Sequence, residues 1–470
     1  MEPIGIVERL GRWSSGRGAL YLLLAARIRA LIDDGELPAG AALPPDRALA
    51  SALAVGRSTV VAAYDLLAAE GRIVRRRGSG TRVAGPASDA VRPTTEVPGF
   101  LHLLEPRDGV IMLACAAPDS PPPELAQAYG QIVPELARLA GDIGYHPMGD
   151  RGLRRAIADR YAARGLPTTP DQILVTTGGQ QALTLLARAL IRPGDRVLVQ
   201  APTYFGALEA FREEAAVLRT LPVGLGGFAS AVATHRPVFA YVISSFHNPT
   251  GFVLPGPDRR RIVRAGVPVI DDEALAELGF PGQATPPPLA VLDDSVITIG
   301  SLSKVVWGGL RVGWARGPSA VVDRLARLRT VADLGGNVPA QLAAAVLFGS
   351  LDRVLERSAA VRRERHDHLR AELARALPSW EAPAVAGGQT LWVRLPRGDG
   401  RSFAQQALRH GVAVLPGSGL DAGGGSADCL RLHFLASRAE LSEAVRRLAA
   451  AWREYQPRVE RTAFPPVMAV

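Results

Sequence analysis

The sequence predicts an α/β protein in two parts: a small helical module closed by a β-hairpin, then a large domain on a mostly parallel sheet with a smaller α+β section at its end. Three observations carry this. From about residue 108 to 455, short β-branched runs (ILVTT, RVLVQ, VFAYVISS, PVIDD, VITIG) alternate with Ala-, Leu- and Arg-rich helical stretches. That rhythm belongs to parallel strands joined by helices. Ahead of it, residues 19–83 read as helix, helix, tight turn, helix, hairpin. Between the two, residues 85–106 are rich in Pro, Thr, Ser and Ala with no helical or strand period, as a linker is.

Composition narrows the classes. The 470 residues are 47% hydrophobic and 21% charged, ordinary for globular chains with ample core. No run approaches about 18 uncharged apolar residues, so no transmembrane helix and no membrane partner are expected. The start, MEPIGIVERLGRW, lacks a basic stretch followed by an apolar one, so no secretory signal is expected. Two cysteines, Cys115 and Cys429, are too few for a disulfide framework or a Cys-based zinc site. No metal is expected, and a cytoplasmic protein fits best.

The charge balance is more informative. Lys and Arg together number 54 against 45 Asp and Glu, and Lys304 is the single lysine. With Ala, Gly and Pro plentiful, this looks like a coding bias that turns Lys into Arg. A solvated surface cation tolerates that change. A lysine that must lose its proton and form a covalent imine does not, because guanidinium keeps its charge. Lys304 is therefore a candidate for Schiff-base chemistry. Chance retention is the plainer alternative. The first 86 residues hold 12 Arg and 8 acidic residues, a net +4 of the total +9. The excess is sharpest in RIVRRRGSGTRV, residues 72–83.

In the N-terminal module, residues 19–32 form one helical pattern, broken by DDGELPAG. A short helix follows near residues 46–53, then a tight turn at Gly56. RSTVVAAYDLLAAEG reads as the next helix, with Ser58 or its neighbour as N-cap. RIVRRRGSGTRV reads as a hairpin turning at Gly78, Ser79 and Gly80. This is a winged helix-turn-helix. A helix after a short turn enters the major groove with its N-terminal residues at base edges, and Arg57, Ser58 and Thr59 sit there. Arg57 could read a guanine or hold a phosphate. The cluster Arg75, Arg76 and Arg77 suits a wing against the DNA backbone or minor groove. A solvated basic hairpin on a protein-binding module is the alternative.

LPPDRALASALAVGRSTVVAAYDLLAAEGRIVRRRGSGTRV resembles the DNA-binding domain of the GntR regulators. The resemblance implies that Arg47, Arg57, Ser58, Thr59 and Gly80 contact double-stranded operator DNA. Val61 stands where some branches place another DNA-contacting Arg, which bears on the operator sequence.

In the large domain, Lys304 lies in SLSKVVWGGLRVGW, directly after the run VITIG. Hydroxyls at Ser301 and Ser303, with Arg311 seven residues beyond the lysine, suit a phosphate-bearing aldehyde, pyridoxal 5′-phosphate (PLP). TTGGQQALTLLARAL reads as strand, Gly turn, helix, whose first amides, from Gly178, Gly179 and Gln180, make an anion site. PVIDDEALAEL ends a strand with Asp271 and Asp272, a carboxylate for the pyridine nitrogen. Asn248, in SSFHNPTG, could donate to the ring's phenolic oxygen, although Asn-Pro-Thr-Gly is also a plain structural turn. Tyr204, in APTYFG, could stack on the ring.

Together these residues resemble the fold-type I PLP enzymes, the class I/II aminotransferases, over about residues 109 to 455. The resemblance implies that Lys304 forms the internal aldimine, Asp272 pairs with the pyridine nitrogen, Asn248 with the ring oxygen, and Tyr204 stacks. Gly179, Gln180, Ser301, Ser303 and Arg311 would hold the phosphate. Tyr145, in YHPMGDRGLR, would reach a partner subunit's phosphate, and Arg431, in CLRLHF, would grip an effector α-carboxylate. Asp272 is preferred to Asp271 by aligning ALAEL with the family's downstream run. Aminotransferases place a Tyr two or three residues after that Asp. Here Ala274 and Leu275 stand there, and neither side chain donates a hydrogen bond, so binding would survive while turnover suffers.

The fusion as a whole resembles the MocR subfamily of GntR transcriptional regulators. That implies a winged helix-turn-helix at residues 13–84, a linker at 85–108 and a PLP-binding effector and dimerisation domain at 109–455. It implies a head-to-tail homodimer in which PLP, or PLP with an amine or amino acid, controls operator binding, rather than an enzyme. Two rival readings are a working aminotransferase with a DNA-binding appendage and a DNA-binding dimer that has lost PLP.

Overall fold

The structure is a computed structural model that describes residues 3–11, 13–14, 19–34, 36–38, 40–69, 72–76, 80–83 and 108–456. The chain divides into two units, Met1–Gly99 and Phe100–Val470. The expected linker falls outside the described residues except for Asp108.

In the first unit, helices Leu20–Asp33, Asp46–Ala52 and Arg57–Ala69 lie where the sequence places them. Their inward faces (Leu24, Ile28, Leu31, Leu49, Val60 and Leu67) share one core. A helix Pro3–Leu10 joins it through Ile6 and Leu10, an element the sequence reading missed. The wing strands Ile73–Arg76 and Gly80–Val83 pair antiparallel, and Ala42–Leu43 adds a third strand against the latter. That strand was also missed, because two residues carry no readable period. The last helix starts at Arg57, so its cap position is Gly56 and not Ser58. Ser58 is itself helical, and the Thr59 amide donates to the Gly56 carbonyl at 3.0 Å.

The second unit is built on a seven-stranded sheet. Its order is Ile173–Thr176, Gly313–Arg316, Ile297–Ser301, Val269–Asp272, Phe239–Val242, Arg196–Ala201, Val217–Pro222. All neighbours are parallel except Gly313–Arg316, which runs antiparallel to both its partners. The strands Phe239–Val242, Val269–Asp272 and Ile297–Ser301 are buried along their whole length, as apolar runs covered on both faces are. Helices pack on both sides and form two cores, one holding Ile157, Val175 and Leu302, the other Leu186, Phe211 and Ile299. The five strands read from the sequence are present. Val217–Pro222 and Gly313–Arg316 were missed. The first is largely exposed and so shows no apolar run. The second, GWAR, is short and ends on a fully buried arginine.

The expected α+β section is present. Its antiparallel sheet is ordered Thr390–Arg394, Cys429–His433, Leu415–Pro416, and it packs on helices Leu351–Ala376, Gly400–Arg409 and Arg438–Glu454. A short strand from far upstream, Ile111–Met112, pairs parallel with Val412–Ala413. This carries residues 113–116 against the section. No single described helix is long and apolar enough to cross a membrane.

Candidate functional site

The sheet gathers its chemistry at the C-terminal ends of its parallel strands, where open α/β sheets bind ligands. A cavity of about 260 Å³ opens there. Gly179, Gln180, Tyr204, Asn248, Asp272, Ser301, Ser303, Lys304, Arg311 and Arg431 all line it. Ten of the residues singled out in the second unit thus meet in one place, from six separate stretches of chain. Tyr145 does not; it is 61% exposed and lies outside this cavity.

Lys304 follows the strand Ile297–Ser301, and its Nζ donates to the Ala116 carbonyl at 2.6 Å. Among the described residues it has no ion pair. Burial lowers its pKa from the ordinary lysine value to about 8, with the charges of Arg431 and Arg311 acting in the same direction. The neutral form of Lys304 therefore gains as pH rises through about 8, well below the range of a solvated lysine.

The two adjacent aspartates part ways because side chains alternate across a strand. Asp272 faces the cavity, accepting from the Tyr241 hydroxyl at 2.7 Å and the Ala274 amide at 3.0 Å. Asp271 turns to the far side, where it accepts from the Ser244 hydroxyl at 2.9 Å and the Ser244 amide at 3.2 Å. Burial raises the pKa of both, that of Asp271 to about 7. Tyr241 was not singled out from the sequence; a tyrosine inside the run VFAYVISS reads as core.

Helix Gly179–Leu190 begins on Gly178, whose φ is +113°. A Cβ there would come within 2.8 Å of the Arg311 Nη2 atom, so only glycine lets the guanidinium lie against this turn. Arg311 donates to the Thr177 carbonyl at 2.6 Å. The amides of the helix's first turn and this guanidinium make a cationic cradle beside Ser301 and Ser303. Tyr204 donates its hydroxyl to the Gln180 Oε1 atom at 3.0 Å, which fixes the ring at the cavity wall.

Arg431, on the strand Cys429–His433, donates to the Asn248 Oδ1 atom at 3.2 Å and to the Ala114 carbonyl. Its Nε atom is buried without a partner. Burial lowers its pKa to about 10, below the ordinary guanidinium value. Ala274 and Leu275 both line the cavity, and neither brings a hydroxyl.

In the first unit, Arg47, Arg57, Ser58 and Gly80 are exposed and Thr59 is half-buried. Gly80 has φ +82° at the start of the second wing strand. Arg75 departs from the expected DNA-facing cluster. It pairs with Asp46 at 2.8 Å and with Asp65, and lies 5.8 Å over the Tyr64 ring. Its charge serves the module's own packing because two carboxylates sit within reach. The side chains of Arg76 and Arg77, and the expected turn at Gly78 and Ser79, lie outside the described residues.

Comparison with known proteins agrees with both units. Residues 20–83 match the gntR family of bacterial regulatory proteins, and residues 117–448 match aminotransferase class I and II. The chain is therefore a helix-turn-helix regulator joined to an aminotransferase-like domain. It is 31% identical to the uncharacterized HTH-type transcriptional regulator YisV of Bacillus subtilis, over 87% of this chain and 91% of that one. It is 32% identical to the probable rhizopine catabolism regulatory protein MocR of Rhizobium meliloti, over 70% and 71% of the two chains. Among solved structures, LysN, the α-aminoadipate aminotransferase of Thermus thermophilus complexed with N-(5′-phosphopyridoxyl)-L-leucine, superposes with a TM-score of 0.69. The identity there is 32%, over 76% of this chain and 94% of that one. This protein belongs to the MocR-type GntR transcriptional regulators.

Proposed function

We propose that this regulator takes up pyridoxal 5′-phosphate at Lys304 and converts its occupancy, by the cofactor alone or with an amine or amino acid, into a change in operator binding. The observation that carries this is the lone lysine of the chain, desolvated and without an ion pair among the described residues, in a cavity that also holds Asp272 and a cationic cradle. The residues present fit the group. Arg431 leaves a buried Nε without a partner, and the Gly178 turn leaves room for the guanidinium of Arg311 where any Cβ would obstruct it. When bound, PLP supplies an aldehyde that condenses with primary amines and a ring that withdraws electrons.

The residues then divide the work. Lys304 offers its amine. Asp272, oriented by Tyr241 and Ala274, presents an acceptor to the pyridine nitrogen. Asn248 receives Arg431 on its carbonyl oxygen, so its amide NH₂ is left for the ring oxygen. Gly179, Gln180, Ser301, Ser303 and Arg311 hold the phosphate, and Tyr204 covers the ring face. Arg431, which lines the cavity, would turn its guanidinium to a carboxylate on an incoming amino acid. The Ala116 carbonyl would hold the Lys304 amine whenever it is free.

The heads are proposed to read DNA through Arg57, Ser58, Thr59, Arg47 and Gly80, as a cytoplasmic homodimer on paired half-sites. Tyr145 is exposed on its own chain, which suits a reach to the partner's phosphate. A ligand shifts the dimer only by its affinity difference between DNA-binding states.

A second reading, residual transaminase turnover, is favoured by the meeting of Lys304, Asp272 and Arg431 in one cavity. Ala274 and Leu275 oppose it. One preparation tests both. The purified chain with PLP is expected to absorb near about 420 nm, as PLP–lysine sites do, and borohydride should fix a pyridoxyl group on Lys304. A chain that cannot be loaded overturns the cofactor reading. Effector-dependent operator binding that persists in Lys304→Ala overturns the switch. Repeated keto-acid turnover would favour the enzyme.

A further inference from the structure

We infer, on the cofactor reading above, that Asp333 is a positioning residue for the phosphate: it lies outside the cavity and acts through Gln181 and Thr177 to set the Arg311 guanidinium in the cradle.

Asp333 ends the helix Ser319–Asp333, and Gln181 lies in the first turn of Gly179–Leu190. Neither lines the cavity. Two groups that only donate fix the Asp333 carboxylate. The Arg329 Nε atom and the Gly335 amide each donate to its Oδ1 atom at 3.0 Å. Its Oδ2 atom accepts from the Gln181 Nε2 atom at 2.7 Å. Burial alone would raise the pKa of this carboxyl, but the bonds from Gln181, Arg329 and the Gly335 amide hold it below the ordinary aspartate value. The far end of the Gln181 amide is fixed as well, because its Oε1 atom accepts from the Thr177 amide at 2.9 Å. Thr177 in turn offers its carbonyl to the Arg311 Nη2 atom at 2.6 Å. Among the described residues the other bond of that guanidinium is longer, 3.3 Å to the Gly308 carbonyl in its own loop.

The polarity of this series of bonds runs one way. Arg329 and Gly335 donate to Asp333, Gln181 donates to the same carboxylate, and Thr177 donates to Gln181. Asp333→Asn keeps the shape and breaks the pattern. The new carbonyl oxygen must face Arg329 and Gly335, which sets the new NH₂ against the NH₂ of Gln181. Flipping Gln181 only moves the conflict to the Thr177 N–H. Either way the mismatch reaches Thr177, the residue that holds Arg311 and leads into the Gly178 turn.

The test is titration of the full-length chain with PLP and with pyridoxal, which lacks the phosphate, followed at the band near about 420 nm. Asp333→Asn removes a negative charge from the neighbourhood of an anion site, so Coulomb attraction alone would tighten PLP. The expected result is the reverse: PLP about tenfold weaker, with pyridoxal little changed. Gln181→Met removes the link and should give a loss of the same kind. In the Gln181→Met background, Asp333→Asn should cost PLP nothing further, as residues on one path do. An Asp333→Asn chain that binds PLP as tightly as the unmutated chain, or more tightly, overturns the inference. So does equal weakening of PLP and pyridoxal, or losses that add in full in the double variant. If a thermal melt shows that Asp333→Asn does not fold, Gln181→Met carries the test, and an unchanged ratio of PLP to pyridoxal affinity in it overturns the inference. An unmutated chain that never gains the band sinks the cofactor reading as well. An unmutated chain that gains it, beside variants that keep the full benefit of the phosphate, sinks this inference alone.

Discussion

Lys304 shows what a residue count can disclose. Its identity as the single lysine among 54 basic residues singles it out before any motif does. The structure adds its burial, which brings its pKa down to about 8. The sign is that of a cation disfavoured by desolvation, so the neutral form gains as pH rises through that value. The rate of PLP uptake is therefore expected to climb through pH 8 and level off, well before the pH at which a free lysine side chain deprotonates. Stopped-flow absorbance across pH checks this, and a rate still climbing steeply well above that range would contradict it. The choice between Asp271 and Asp272 was legible in the sequence only by alignment to a family pattern. The alternation of a strand's faces supplies its physical basis, with one carboxylate on Ser244 and the other in the cavity. Tyr241 was not legible. It reaches Asp272 through one hydrogen bond across 31 residues of sequence, and no spacing rule reports that.

At the scale of elements, the turn into helix Gly179–Leu190 sets a glycine's geometry against the Arg311 guanidinium. With φ at +113° and the Arg311 Nη2 atom 2.8 Å from any added Cβ, Gly178→Ala must strain the turn and push the guanidinium away. PLP affinity is expected to fall by about tenfold or more, while the affinity for pyridoxal, which has no phosphate, changes little. Titration of both compounds separates the cradle from the rest of the cavity. In the other unit, Arg57 opens the helix that follows the Gly56 turn and is exposed. Arg57→Ala should weaken operator binding by about 1–3 kcal/mol without lowering the melting temperature. An electrophoretic shift assay beside a thermal melt would show both. The sequence made these elements legible because strands with continuous apolar runs and helices with caps and turns announce themselves. The missed strands, Ala42–Leu43, Val217–Pro222 and Gly313–Arg316, are two residues long, largely exposed, or ended by a buried arginine. The ion pairs of Arg75 were not legible for a similar reason: Asp46 and Asp65 become its neighbours only through folding.

At the scale of the whole molecule, Tyr145 bears on assembly. It is exposed and outside its own chain's cavity. Tyr145→Phe is expected to loosen PLP several-fold in the homodimer, about the worth of one hydrogen bond to a charged group. Mixing that variant with Lys304→Ala chains should restore one tight site per mixed dimer, since each chain supplies what the other lacks. Cofactor titration of the mixture reads this out, and no recovery would place Tyr145 outside any shared site. One further consequence lies in the lone antiparallel strand. Because Ser301 pairs with Gly313, the loop between them is anchored at both ends, and it carries both Lys304 and Arg311. In the function proposed above, the amine that takes up the cofactor and the cation that holds its phosphate would hang from one tether, so a substitution that displaces this loop is expected to weaken both functions together.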